Sequence, residues 1–165
     1  MTNVAFPPAR LRRQCRERLR SIYLGLKRQQ PSQPIPTRRQ LEQLTANVFA
    51  EYERAWPWLE KAVAQFGGTH RKEHVLERVI HNRAQLWTEL DAAAVTSVEC
   101  YDTGLVEVRI WLGGGSIEGL RVIEKRVEAW ARLIGAQRLT ILGRRGWLRA
   151  LDGWNEMAVM MTKEI

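Results

Sequence analysis

The chain has 165 residues, 45% of them hydrophobic, with seven tryptophans and a net charge of +8. That length buries one core with an appendage and excludes two large independent domains, and the apolar content excludes a wholly disordered chain. No apolar run approaches the ~18 residues of a membrane span, and the N-terminus lacks the apolar core of a signal peptide, so the expected site of synthesis is the cytoplasm, with no membrane partner.

The charge is segregated. Residues 1–40 hold ten basic groups against Glu17 alone, a local +9, whereas the remaining 125 residues hold 16 basic and 17 acidic groups and sum to −1. In that first stretch Leu11, Cys15, Leu19, Ile22, Tyr23 and Leu26 recur at helical spacing and predict a helix over 9–30, with arginines on its other face. Arg10, Arg12, Arg13, Arg16, Arg20 and Arg28 form a basic arm suited to a partner surface or to DNA phosphates. An ordinary solvated helix face is the third reading. Three prolines within 31–36 make an extended linker.

Thr37 and Gln40 have capping-box spacing, and Leu41, Leu44, Val48, Phe49 and Tyr52 predict a helix over 38–55. Pro57 suits the first turn of a short further helix ended by Gly67-Gly68, and Val75, Leu76, Val79, Ile80, Leu86, Trp87 and Leu90 predict another over 70–91.

At Ala94 the period changes to two. Strands are expected over 95–101 and 105–112, joined across Asp102-Thr103-Gly104, with Val106, Val108, Ile110 and Leu112 on one face and Glu107, Arg109 and Trp111 on the other. An aromatic at Trp111 on that polar side suits an interface or packing beneath the helical half. Gly113-Gly114-Gly115 reads as a flexible strand-to-helix turn, and Gly114, Gly115 and Ser116 form a candidate anion site at a helix N-terminus. Ser116 caps a helix over 117–134 with the stripe Leu120, Ile123, Val127, Trp130 and Ile134, closed by Gly135. A strand near 138–143, a short helix near 146–151 and a strand over 154–163 complete a β-β-α-β-α-β order. The expected class is α+β: a basic arm and linker (1–36), a helical region (37–93) and an α/β unit (94–165).

Catalytic and metal signatures are lacking. His70 and His74 stand four apart but without His-Glu-x-x-His order, no carboxylate pair has acid/base spacing, and Cys15 and Cys100 have neither metal nor disulfide-framework spacing and are expected reduced. The expected catalytic, metal and cofactor sets are empty.

The order from 95 onward, with Ala131-Arg132-Leu133-Ile134-Gly135 ending the long helix, Leu139 and Ile141 in the next strand, and Gly153-Trp154 before the last, resembles the C-terminal half of the GNAT acetyltransferase fold. The resemblance covers about 70 of the 165 residues and implies acetyl-CoA chemistry through an Arg/Gln-x-x-Gly-x-Gly/Ala phosphate loop and a tyrosine acid on the short helix. Here the loop positions are Gly115, Glu118, Gly119 and Leu120, and no tyrosine follows Tyr101. Gly143-Arg144-Arg145-Gly146-Trp147 and the later Gly-Trp are similar to small virion proteins of tailed bacteriophages. Together these imply a non-catalytic, homo-oligomerising virion component at the portal or head-to-tail junction or inside the capsid, with portal or tail proteins and DNA as partners. An acetyl-CoA-dependent acyltransferase and a DNA-binding module are the alternatives.

Overall fold

A computed structural model describes residues 17, 38–65, 67–143, 146–158 and 163. The arm arginines, the predicted helix over 9–30 and the proline linker lie outside the described residues, Glu17 excepted.

Helix α1 (Arg38–Gln65) runs unbroken through Pro57, where the sequence predicts a new helix. A proline inside a helix forfeits a backbone hydrogen bond and costs ~3 kcal/mol. The helix continues because its apolar stripe does: Tyr52, Ala55, Leu59, Ala62 and Val63 are all buried on one side, and packing on the sheet offsets the local cost. It ends as expected, with Gly67 and Gly68 at positive φ and their amides donating to the Ala64 and Val63 carbonyls.

Helix α2 (Lys72–Ile80) is much shorter than the helix predicted over 70–91. Asn82 takes a left-handed φ of 53°, the Arg83 and Ala84 amides both donate to the Arg78 carbonyl, and strand β1 (Gln85–Thr88) begins. Leu86 and Trp87, read as neighbours on one helical stripe, instead point to opposite sheet faces: Leu86 packs beneath α1, and Trp87 meets Trp130 with ring centroids 5.5 Å apart. Asn82 is the local signal for the break, since asparagine tolerates the left-handed region.

Strand β2 (Ala92–Cys100) and strand β3 (Val106–Gly115) form the expected hairpin, with Gly104 at φ 83° and its amide donating to the Tyr101 carbonyl. Both strands are longer than predicted, and the three glycines are the end of β3 rather than a loop. The register jumps from Val95↔Leu112 to Thr96↔Ile110, which leaves Trp111 as the extra residue of a β-bulge. The bulge turns Leu112 away from the face it was expected to share with Val108 and Ile110, so Leu112 joins the core beneath α1 while those two pack under the following helix.

Helix α3 (Ile117–Leu133) fits its prediction closely: Ser116 caps it, and Leu120, Ile123 and Val127 are buried along its stripe. Strand β4 (Arg138–Ile141) pairs parallel to β3, giving the sheet order β1-β2-β3-β4 with the other pairings antiparallel. A short helix α4 (Gly146–Ala150) follows. Residues 154–158, the described start of the predicted last strand, are not in a strand. The class is therefore α+β with a four-stranded mixed sheet among the described residues, α1 and α2 covering one face and α3 the other. Cys100 is disulfide-bonded, which corrects the expectation of reduced cysteines; Cys15 lies outside the described residues. No helix among the described residues is long and apolar enough to cross a membrane.

Candidate functional site

Strands β3 and β4 stay together only briefly. Their register runs from Glu107↔Arg138 to Ile110↔Ile141, and the last bond joins the Leu142 amide to the Ile110 carbonyl at 3.4 Å. Beyond it β3 continues to Gly115, held by β2, while the other chain turns through Gly143 into α4. The divergence opens a cavity of about 610 Å³. Trp58 and Ala62 of α1, Leu120 and Ile123 of α3, and Trp147 and Leu151 near α4 wall it, and among the described residues its charged or amide side chains are Lys61, Gln65 and Glu124. Glu124 also accepts a hydrogen bond from the Trp154 indole at 3.2 Å.

The glycine run owes its composition to close packing. A Cβ at Gly114 would stand 2.4 Å from the Trp58 carbonyl oxygen of α1, and one at Gly115, whose φ is 110°, would stand 2.2 Å from the Asp91 carbonyl oxygen. At Gly119 a Cβ would lie 2.8 Å from the Asp91 carboxylate, which therefore sits against the first turn of α3. Several groups at this terminus are engaged by the protein itself. Ser116 donates its amide to the Asp91 carbonyl at 3.0 Å, its Oγ accepts from the Gly119 amide at 2.9 Å, and the Leu120 amide donates to the Ser116 carbonyl. The Asp91 carboxylate against this turn, with Glu118 also in the first turn of the helix, adds negative charge near the terminus, which disfavours an anion there. Ser116→Ala is expected to cost about 1 kcal/mol through loss of the cap, read as a lowered urea midpoint with unchanged slope; an unchanged midpoint would show that the cap contributes nothing.

Trp111 is half-buried beneath the helical half, 5.1 Å from the His70 ring and 5.7 Å from the Arg78 guanidinium, and its buried indole nitrogen has no hydrogen-bond partner among the described residues. Burial holds the His70 imidazole below its ordinary pKa, and Arg78 and His74 act in the same direction. His74 accepts from the Arg71 amide at 3.3 Å, and His81 caps α2. No group of three or more metal-ligating side chains occurs among the described residues.

A polar cluster on β3 and β4 escaped sequence reasoning. Glu107, whose side chain is 1% exposed, accepts from Arg109 at 3.0 Å, from the Arg138 Nε at 2.7 Å and from the Thr140 hydroxyl at 2.7 Å. Arg109 also donates to the Tyr101 hydroxyl at 3.1 Å, and the Arg138 guanidinium lies 5.7 Å from the Tyr101 ring. Burial alone would raise the Glu107 carboxyl, but the hydrogen bonds from Thr140, Arg138 and Arg109 outweigh it and hold it below its usual range. A carboxylate so held is a poor general base at neutral pH. Arg138 and Thr140 lie about thirty residues from Glu107, so only strand pairing brings the cluster together.

Comparison with known proteins adds little at the sequence level: no family model matches the chain, and no curated protein matches it. Among solved structures, one described as the crystal structure of a probable acetyltransferase aligns over 79% of this chain and 93% of its own, with 12% sequence identity and a TM-score of 0.46.

Proposed function

We propose that this protein is a non-catalytic docking component of an assembly, built on a GNAT-like unit that carries no acetyl-CoA chemistry, and that the assembly is a tailed-bacteriophage particle. The observation that carries the reading is the N-terminus of α3, where the Ser116 and Gly119 amides already donate to the Asp91 carbonyl and the Ser116 hydroxyl and the Asp91 carboxylate lies against the first turn. Among the described residues, the ionisable side chains walling the cavity are Lys61 and Glu124, and the short helix α4 carries Trp147 but no tyrosine that could serve as the acid of an acetyltransferase. The bacteriophage setting rests on the similarity of the 143–147 segment and Gly153-Trp154 to small virion proteins, and the arm over 1–36 would engage a neighbouring subunit, a portal or tail protein, or DNA.

The test is calorimetric titration with acetyl-CoA. Dissociation constants weaker than about 1 mM are expected, and micromolar binding or acetyl transfer to an amine would overturn the proposal. One feature favours the rival acyltransferase reading, the open cleft between β3 and β4, which is large enough for a small-molecule ligand. Native mass spectrometry of the full chain supplies the second arm: a closed oligomer is expected, and a monomer that binds neither portal nor tail proteins would remove the assembly role.

A further inference from the structure

Among the described residues, the main chain along the open part of β3 has no partner on the side away from β2. In an antiparallel pair, residues alternate between bonding the partner strand and pointing away from it. The Ser116 amide bonds the Asp91 carbonyl, so, counting back along the register, Gly114 opposite Ala93 and Leu112 opposite Val95 face β2, whereas Gly113 and Gly115 face the other way. That other way is the cavity. The same alternation sends the Val106 and Ile110 carbonyls toward β4, where they accept from Gln137 and Leu142, but β4 has diverged before it reaches Gly113. The amides and carbonyls of Gly113 and Gly115 thus line an apolar cleft with no strand beside them among the described residues.

Three properties of the gap define what fits it. Its long edge covers residues 111–115, about 17 Å at the strand rise of ~3.3 Å per residue, which suits some five extended residues. Trp58 and Ala62 wall it on the α1 side and Leu120 and Ile123 on the α3 side, so both faces of an inserted strand would meet apolar side chains, the condition that favours continuous small or apolar residues. Lys61 stands in the α1 wall and, among the described residues, has no ion-pair partner, whereas the Glu124 carboxylate of α3 already accepts from the Trp154 indole, so a carboxylate at the α1 side of the occupant complements Lys61.

We propose that this cleft binds an extended segment of a partner protein, of about five small or apolar residues with one acidic residue, which adds to the open edge of β3 as a strand. The inference names the docking site of the assembly role proposed above and rests on that reading. Main-chain bonds to Gly113 and Gly115 give affinity, and the apolar walls select the side chains.

The test is titration of the full chain, followed by tryptophan fluorescence, with an acetylated and amidated peptide of one aspartate followed by alternating valine and alanine. Its analogue, N-methylated at every second residue, keeps the side chains but loses donors. Saturable binding with a dissociation constant of about 100 µM or tighter is expected, at least about tenfold weaker for the methylated peptide. Lys61→Ala should weaken the aspartate peptide but not one carrying asparagine in its place. Gly113→Val, with melting temperature as a folding check, should abolish binding. Equal affinity for the plain and methylated peptides, or no binding at 1 mM, overturns the inference. Failure of the peptide with acetyl-CoA also unbound overturns this docking site alone, whereas micromolar acetyl-CoA binding overturns the non-catalytic reading beneath it.

Discussion

Glu107→Ala is expected to lower the unfolding free energy by about 2–3 kcal/mol and the melting temperature by roughly 5–10 °C. The carboxylate is nearly fully buried and accepts from Arg109, Arg138 and Thr140; without it two guanidinium groups face each other across an empty site and the Thr140 hydroxyl loses its partner. Breaking a buried ion pair usually costs 3–5 kcal/mol, but Arg109 and Arg138 are 37% and 34% exposed, so water rehydrates them and reduces the loss. Glu107→Gln keeps the shape and should cost about half as much at pH 7. The two substitutions also separate the charge from the packing by pH. Because the folded carboxyl is held below its ordinary value, its contribution is complete above the unfolded pKa of about 4.3 and is lost as pH falls through the folded value. Urea midpoints for the native protein and Glu107→Gln should therefore converge below pH 4. A constant gap from pH 7 to pH 3 would show that the ion cluster is not the source.

The glycines at the end of β3 give the other large effect, and it is unequal along the run. Gly115→Ala is expected to cost roughly 3 kcal/mol or more, because φ 110° is a strained region for alanine and the new Cβ meets the backbone at Asp91 and Ala92, which cannot yield as a side-chain tip would. Gly114→Ala, against the Trp58 carbonyl, should cost about 2 kcal/mol. Gly113→Ala should lie within about 0.5 kcal/mol of the native protein, since its Cβ would make an ordinary 3.7 Å contact with Leu120. Chemical denaturation of the three variants is the check. Uniform tolerance would return the run to a flexible turn and remove the β3 edge on which the proposed docking site depends.

The steepness of that contrast marks what could and could not be read locally. Ser116, the stripe from Leu120 to Val127 and Gly135 define α3 because cap, period and stop all lie within one turn of the residues they act on. Gly104 defines the hairpin for the same reason. Gly113 looks like its two neighbours in sequence, and only the approach of α1 and of the β1–β2 connection distinguishes them. Pro57 is a stop signal by local rules, overridden by a buried stripe on both sides of it. Gly114, Gly115 and Trp111, singled out in sequence, do line the cleft, though as strand and bulge residues. Ser116 stands beside it as a cap. The Glu107 cluster was beyond reach, since its partners come from a strand about thirty residues away.

The sequence by itself determined the segregation of charge into the first forty residues, the capped and striped helix α3, the Gly104 hairpin and the lack of a tyrosine after Tyr101, all properties of composition or of short-range spacing. The tertiary structure alone decided that residues 85–88 are a strand, that Trp111 is a bulge beneath the helices, and that β3 and β4 part to open a cleft. Those features depend on which surfaces meet across the sheet, and an apolar residue carries the same local signal whether it meets a helix, a strand or the wall of a cavity.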